Sequence, residues 1–285
     1  MSTQESAAVG SLIDTHCHLD AAEFAVDRDA VVTRALASGI ARLVVPAVEV
    51  ANFAGVRDCC RRYPVCVPAY GIHPMFVHAA TETDLDTLRA WLTHESEGEH
   101  PPVALGEIGL DYFTPGFDAT RQEIFFVEQL KIACDFDLPV LVHSRRAVDT
   151  VLKHLRRVPV RGGIAHAFNG SRQQADAFIK LGFKLGFGGA MTYAGSTRIR
   201  HLATTLPIDT LVLETDAPDI PPEFIGRTRN SQETLPRIAA ILASLRGMSV
   251  TEIAIATSAN ALALLPPTAS RRLCSSKSTV LQRCL

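Results

Sequence analysis

The sequence predicts a single α/β domain folded as a (β/α)₈ TIM barrel. Eight short apolar segments recur along the 285 residues, and each is followed by a stretch with the periodicity of a helix. Several of these segments end in a histidine or a carboxylate. In a parallel barrel, the functional side chains lie at these carboxyl ends of the strands. With 47% hydrophobic residues, the chain can bury one large core. An open, doubly wound sheet is the structural alternative.

The predicted strands are apolar runs of four to six residues. In chain order they cover residues 12–15, 42–45, 65–69, 103–107, 139–143, 163–166, 184–188 and 211–216. The predicted helices cover residues 27–38, 50–63, 83–95, 119–136, 147–157, 171–181, 197–205, 233–245 and 251–265. Gly39 ends the first helix and Ser171 is the expected N-cap of the sixth, as these residue types favour.

Outside the predicted barrel, residues 11–265, both ends of the chain have a different composition. Residues 1–10 are small and polar, and we expect a flexible leader there. Residues 266–285 begin with two prolines and hold four basic and no acidic residues. A disordered basic tail is the expectation, with an arm for nucleic acid or an acidic partner as the alternative.

The charge and cysteine content restrict the class of protein. The chain has 28 Lys and Arg residues and 30 Asp and Glu residues. This balance excludes the strongly basic charge of a protein that coats duplex DNA, but it permits nucleic acid as a transient substrate. The seven cysteines show no metal-knuckle spacing and are expected to be reduced thiols. The sequence shows neither a signal peptide nor a membrane-spanning run, so a cytoplasmic protein without a membrane partner is expected.

A metal site is predicted first by His16 and His18. Because side chains alternate along a strand, these two imidazoles project to the same side while Cys17 points away. An isolated pair of this kind is more often an ordinary pair of histidines, but further ligand types fall at the ends of other predicted strands. The full set of candidate ligands is His16, His18, Glu107, His143, His166 and Asp216. Imidazole nitrogens with carboxylates suit Zn²⁺, Mn²⁺ or Co²⁺ better than Mg²⁺, although Mg²⁺ stays open as an activator.

Six ligands exceed what one catalytic cation needs, so two divalent metal ions per subunit are expected. Glu107 has two carboxylate oxygens and is the candidate bridge between them. His16 and His18 would serve one metal, and His143 and His166 the other. Asp216 would ligate the first metal and act as the general base toward a water activated by both. Glu107 and Asp216 are therefore the candidate catalytic residues.

Five segments together resemble one known family. They are Ile13-Asp14-Thr15-His16-Cys17-His18, Gly106-Glu107-Ile108-Gly109-Leu110-Asp111-Tyr112, Val142-His143-Ser144-Arg145, His166-Ala167-Phe168-Asn169-Gly170 and Glu214-Thr215-Asp216-Ala217-Pro218. In this order, across residues 12–265, they resemble the TatD family of metal-dependent deoxyribonucleases. The resemblance implies a TIM barrel of the amidohydrolase type, a divalent metal centre at the candidate ligands, and hydrolysis of phosphodiester bonds, often from the 3′ end of single-stranded DNA or RNA.

Some positions depart from the common family pattern. The segment after His166 reads Ala-Phe-Asn-Gly where Cys-Phe-Ser-Gly is usual, and residues 260–265 lack the usual phenylalanine. Residues 229–231 and 235–236 resemble a less studied, TatD-related subgroup of uncharacterised hydrolases. These departures leave the candidate ligands intact and leave the substrate open.

Two further residues are candidates for substrate binding. His73 follows the third strand and would contact a scissile phosphate, unless it only caps loop backbone. Arg145 lies just beyond His143 and would bind a phosphate with two hydrogen bonds. The alternative is an exposed arginine at the start of a helix. Asp111 and Tyr112 are expected to shape the floor of the pocket. Tyr112, Phe113 and Phe168 are candidates for base stacking, with packing in the core as the alternative.

The sequence thus predicts a metal-dependent phosphodiesterase of the deoxyribonuclease type, a 3′-to-5′ exonuclease on single-stranded DNA or RNA. An amide or ester hydrolase of the amidohydrolase type, acting on a small substrate, is the alternative enzyme. A carboxylated-lysine centre is disfavoured because the fourth strand carries Glu107 in place of lysine. A non-catalytic binding protein on the same scaffold is the third possibility. Metal identity, the choice between DNA, RNA and small diesters, and the oligomeric state stay open.

Overall fold

A computed structural model describes residues 11–265, so the predicted leader and basic tail lie outside the described residues. One sheet contains eight parallel strands in sequential order. Its strands are β1 Leu12–Asp14, β2 Ile40–Pro46, β3 Cys66–Tyr70, β4 Ala104–Asp111, β5 Val140–Arg145, β6 Gly163–Ala165, β7 Phe183–Phe187 and β8 Leu211–Leu213. The first and last strands meet where Thr15 N–H donates to the Leu213 carbonyl at 3.0 Å. This sequential, closing order confirms the barrel and excludes the doubly wound sheet.

Helices separate the strands and form the outer layer. Within residues 11–265 the α-helices are α1 Arg28–Ala37, α2 Phe53–Arg62, α3 Glu82–Ser96, α4 Ala119–Asp135, α5 Val148–Arg157, α6 Arg172–Lys180, α7 Thr197–Thr205, α8 Leu235–Arg246 and α9 Val250–Leu264. Ser171 caps α6 as predicted. Its hydroxyl accepts from Gln174 N–H at 3.2 Å, and the Gln174 side chain accepts from Ser171 N–H at 2.8 Å. This reciprocal capping box fixes the start of the helix.

Strands β2, β4 and β5 are longer than predicted, and the extension of β4 and β5 changes where the candidate ligands lie. β4 continues to Asp111 and β5 to Arg145, and these two residues pair across the sheet. Glu107 therefore lies inside β4, and His143 inside β5. Conversely, β1, β6 and β8 end before His16, His166 and Asp216. The predicted strand ends at Glu107, His143, His166 and Asp216 are therefore wrong in detail, whereas His16 follows β1 as predicted. Every candidate ligand lies at the carboxyl half of the barrel.

The barrel interior is packed with aliphatic side chains below the candidate ligands. One buried cluster draws residues from seven of the strands and from the end of α9, namely Ile13, Val44, Val67, Ala69, Ala104, Leu141, Ile164, Val212, Ala261, Leu264 and Leu265, with Val103 just before β4. A larger buried cluster fills the space between the strands and the helices. Both clusters hold the strand ends rigidly, which is what a metal site with several ligands requires.

No single helix among residues 11–265 has the length and apolar character to cross a membrane. Residues 232–246 and 250–264 satisfy these criteria only when taken together, with a bend of 108° between them. Buried side chains of α8 and α9 belong to the two core clusters.

Candidate metal centre and active-site cavity

All of the candidate ligands lie at one place, the carboxyl end of the barrel. A cavity of about 1060 Å³ opens there. Five of the six candidate ligands line it, namely His18, Glu107, His143, His166 and Asp216. His16 lies fully buried directly behind them. The predicted substrate residues His73 and Arg145 line the same cavity.

Glu107 lies between two groups of imidazoles. Its Oε2 atom is 3.1 Å from His16 Nε2 and 3.7 Å from His18 Nε2. Its Oε1 atom is 3.1 Å from His143 Nδ1 and 4.0 Å from His166 Nε2. Each carboxylate oxygen thus faces a different group of nitrogens, which is the geometry that a bridging ligand needs.

Asp216 lies within reach of both groups. Its Oδ1 atom lies 3.7 Å from Nε2 of both His16 and His18, and 3.6 Å from His166 Nε2. The donor atoms of His16, His166 and Asp216 lie within 4.8 Å of one another, as do those of His16, His18 and Glu107. Neutral imidazoles and ionised carboxylates at this spacing fit divalent transition-metal ions.

Two further carboxylates orient the imidazoles from behind. His143 Nε2 lies 3.2 Å from Asp111 Oδ2, and His166 Nδ1 lies 3.0 Å from Glu214 Oε1. A carboxylate beside one ring nitrogen keeps the proton there and leaves the lone pair of the other nitrogen free. The free nitrogens are then His143 Nδ1 and His166 Nε2, and both face Glu107.

His73 differs from His143 and His166 because, in its neutral ring, the nitrogen that faces Glu107 carries the proton. Its ring also groups with Glu107 and His143 by distance, with Nε2 3.5 Å from Glu107 Oε1. However, Met75 N–H donates to His73 Nδ1 at 3.2 Å, so the neutral ring carries its proton on Nε2. His73 therefore offers the cavity a hydrogen-bond donor, which matches the predicted substrate contact better than a metal ligand.

Asp14 and Glu214 are site residues to which sequence reasoning assigned no role. Asp14 is fully buried and accepts from Thr215 N–H at 3.0 Å and from the Thr215 hydroxyl at 2.6 Å. It also accepts from His16 N–H at 3.3 Å. One carboxylate thus ties the segment after β1 to the segment after β8. Its place two residues before His16 is the signal that could have pointed to it.

Asn230 fixes the loop that carries Asp216. Its fully buried amide donates to the carbonyls of Thr215, Asp219 and Ile220 at 2.9, 3.0 and 3.3 Å. This residue belongs to the segment by which the chain resembles the less studied subgroup. Its role here is structural, because the three carbonyls it holds enclose Asp216 in the sequence.

Unusual backbone conformations concentrate around the cavity. Five non-glycine residues of the described chain have φ in the left-handed region. Four of them line the cavity: Arg146 at 56°, Ala167 at 43°, Asp216 at 58° and Ile220 at 41°. Such conformations cost energy and persist where the surrounding structure enforces them, commonly at functional sites.

The charges of the cluster are interdependent in the metal-free protein. Burial alone would raise the pKa of Glu107, but the imidazoles of His16 and His73 and bonds from His143 hold it well below its usual range. Burial also opposes protonation of His166, yet the carboxylates of Glu214 and Asp216 raise its pKa to about 10. Without metal, protonated imidazole supplies the positive charge that these carboxylates require.

We therefore expect metal uptake at pH 7 to release protons, and metal affinity to fall as the pH falls. A nitrogen must lose its proton before it can bind a metal, and the raised pKa of His166 keeps that proton in place in the metal-free protein. Calorimetric titration of Zn²⁺ in buffers with different ionisation enthalpies counts the released protons. Identical binding enthalpies in all buffers would contradict this expectation.

Replacement of Glu214 by glutamine should weaken metal affinity by about 10- to 100-fold, the usual effect of losing a carboxylate behind a ligating histidine. Gly186→Ala should act in the same direction, because a β-carbon at Gly186 would overlap the carboxylate of Glu214. Gly195→Ala is the matched control, since no atom lies within 4 Å of its added carbon. Competition with a chelator measures the affinities. Equal affinity in Gly186→Ala and Gly195→Ala would refute the role of Glu214.

Asn230→Ala should destabilise the fold by about 3 kcal/mol, because it leaves buried carbonyls without a donor. Thr228→Ala, which removes one exposed hydroxyl contact to Ile225, is the control and should change stability by less than about 0.5 kcal/mol. Urea denaturation followed by circular dichroism gives both free energies of unfolding. A destabilisation no larger than that of the control would show that the loop is held by other interactions.

The fold and the donor set together define the class, a barrel enzyme with clustered histidines and carboxylates that can hold metal at the carboxyl ends of its strands. The family follows from comparison with known sequences. The profile of the TatD related DNase family matches residues 13–266, and the chain belongs to this family. The resemblance carried by the five sequence segments is thereby confirmed.

Individual relatives cover nearly the whole chain. YjjV of Escherichia coli (strain K12), described as an uncharacterized metal-dependent hydrolase, is 40% identical over 243 residues, 85% of this chain and 93% of its own length. The crystal structure of YjjV superposes with a TM-score of 0.86, covering 90% of this chain and 98% of that one. The 3′-5′ ssDNA/RNA exonuclease TatD of Escherichia fergusonii is 31% identical over 259 residues, 87% of this chain and 96% of its own.

Proposed function

We propose that this protein is a metal-dependent phosphodiesterase that shortens single-stranded DNA or RNA from the 3′ end. The observation that carries the proposal is Glu107, whose two oxygens face separate groups of imidazoles. That arrangement suits two cations about 3.5–4 Å apart, the spacing at which metal pairs hydrolyse phosphodiesters. The exonuclease name of the Escherichia fergusonii relative supports the choice of substrate.

We divide the candidate ligands between two cations. The first would be held by His16, His18 and Asp216, and the second by His143 and His166, with Glu107 shared. Zn²⁺, Mn²⁺ and Co²⁺ match four imidazoles best, while Mg²⁺ is a candidate activator. When bound, such cations polarise a phosphoryl oxygen and lower the pKa of a water molecule.

The protein side chains have separate roles around the reacting phosphate. Asp216 lies beside the ligand cluster and accepts a proton from the attacking water. His73, with its proton on Nε2, donates a hydrogen bond to a phosphate oxygen. Arg145 lies two residues beyond His143 on β5 and therefore projects from the same face, about 7 Å further along the strand. Its guanidinium holds a phosphate by two hydrogen bonds.

The test uses a 5′-labelled single-stranded oligonucleotide and chelator-treated protein, with Mn²⁺, Zn²⁺, Co²⁺ or Mg²⁺ added back. A ladder of products shortened stepwise from the 3′ end, dependent on metal, is the expected result. Absence of cleavage by folded, metal-loaded protein would overturn the proposal and favour an amide or ester substrate. His143→Ala should abolish turnover while the fold persists, which separates an enzyme from a binding protein on the same scaffold.

A further inference from the structure

The active-site cavity has a positive half and a negative half. Three arginines line one side: Arg145 and Arg146 at the end of β5, and Arg198 on α7. Three carboxylates line the other side: Asp20 and Glu23 after β1, and Asp219 after β8. Because the strands follow one another around the barrel, the arginines occupy the β5–β7 arc and the carboxylates the β8–β1 arc.

The arginines of the positive half are available to a ligand. Arg145 and Arg146 form no ion pair with any residue between 11 and 265, and their guanidinium carbons lie 3.7 and 4.5 Å from the ring centre of Phe113. Phe113 is 44% exposed. Arg198 donates to the side-chain oxygen of Asn169 at 2.7 Å, and it too has no carboxylate partner in the described chain. These three charges are held in position but are not neutralised.

The carboxylates of the negative half have no arginine or lysine beside them in the cavity lining. Two arginines lie nearby and donate to backbone carbonyls of Asp20 and Glu23, but neither forms an ion pair with Asp20, Glu23 or Asp219 in the described chain. Arg28 donates to the backbone carbonyls of Leu19, Asp20 and Ala21. Arg229 forms a two-pronged ion pair with Asp27, with N···O distances of 2.7 and 2.8 Å. The negative half therefore repels a phosphate, while the positive half attracts one.

We propose that Asp20, Glu23 and Asp219 are the residues that restrict cleavage to strand ends, because they place negative charge where an internal strand would continue. The inference rests on the proposed nuclease function. A single strand carries one negative charge per nucleotide, so the remainder of the substrate lies across Arg145, Arg146 and Arg198. The terminal nucleotide lies toward Asp20, Glu23 and Asp219, where no further phosphate follows it. An internal stretch of a strand has phosphates on both sides of the scissile bond. The phosphates on the side away from the arginines would meet the carboxylates and be repelled.

The first test compares a linear single-stranded oligonucleotide with a covalently closed circle of the same sequence. Wild-type protein should degrade the linear strand and cleave the circle at least 100-fold more slowly. The double variant Glu23→Lys, Asp219→Asn should cleave the circle at least tenfold faster than wild type. Glu99→Lys, at an exposed position outside the cavity lining, makes a comparable charge change as a control and should leave the ratio as in wild type.

The second test measures the affinity of a fluorescent single-stranded oligonucleotide as a function of salt. Removing one arginine that binds a phosphate should reduce the slope of log Kd against log salt by about 0.7. Arg146→Ala and Arg198→Ala should each show this reduction. The control Arg172→Ala, whose guanidinium pairs with Asp176 on the surface at 3.0 Å, should not.

The outcomes separate the two proposals. If wild-type protein degrades linear strands but cleaves circles at a similar rate, the specificity for ends and the restriction of the proposed function to 3′ ends are both wrong, while a metal-dependent phosphodiesterase stands. If Glu23→Lys, Asp219→Asn leaves circle cleavage unchanged, or if the arginine variants keep the wild-type salt slope, the charge asymmetry does not act as proposed. If no strand is degraded with any metal, the proposed function itself fails, and the inference fails with it.

Discussion

Glu107→Gln is expected to lower kcat by about 10³-fold and to reduce the metal content of the protein. Glu107 is 2% exposed, and each of its oxygens faces one group of imidazoles. An amide offers only one oxygen to the site, so one of the two metal positions loses its shared ligand. A decrease of this size corresponds to about 4 kcal/mol of transition-state stabilisation, which is reasonable for a disrupted metal pair.

The measurement combines turnover of the labelled oligonucleotide with metal analysis of reconstituted protein. Glu95→Gln is the matched control, because Glu95 is equally buried, at 2% exposed, but lies on α3 outside the cavity lining. That variant should keep its metal and its activity once folded. Full activity and unaltered metal content in Glu107→Gln would refute the two-metal arrangement.

The elements of this fold that local periodicity defines were predictable from sequence. Helix α7 begins and ends at the predicted residues, Thr197 and Thr205. The N-cap at Ser171 was also predicted, because the capping signal lies within four residues of the chain. The true lengths of β4 and β5 were not predictable in the same way. They continue to Asp111 and Arg145 because the two strands pair with each other after a register shift between Leu105 and Ile108.

For the candidate site too, some roles follow from the local sequence and others depend on contacts between residues far apart in the chain. Histidines and carboxylates near apolar strand ends identify possible ligands from sequence alone, since parallel strands bring those ends together. The place of Asp14 two residues before His16 marks it only as a neighbour of the site, because its partner Thr215 lies 201 positions away in the chain. The proton position on His73 likewise depends on the backbone N–H of Met75 in the folded loop. Ligand types can thus be predicted, whereas the groups that orient them require the tertiary structure.

Asp216→Asn is expected to lower kcat by about 10²- to 10⁴-fold with a much smaller change in KM. The proposed role of Asp216 is to accept a proton, and an amide cannot do so. Loss of a positioned general base lowers the rate by about this factor. Asparagine keeps an oxygen where Asp216 Oδ1 lies 3.7 Å from His16 Nε2. It also tolerates the left-handed backbone at this position, where φ is 58°. The variant should therefore fold and keep most of its metal.

Steady-state kinetics and metal analysis of the same preparation distinguish a base from a ligand. If Asp216 acts mainly as a ligand, Asp216→Asn and Asp216→Ala should lose metal and activity in parallel, and excess metal should restore both. If Asp216 is the base, Asp216→Asn should stay inactive at saturating metal, because the missing group is the proton acceptor. Asp176→Asn, on the exposed face of α6, controls for the removal of one carboxylate charge. Recovery of Asp216→Asn by added metal to within a few-fold of wild type would assign proton removal to another group.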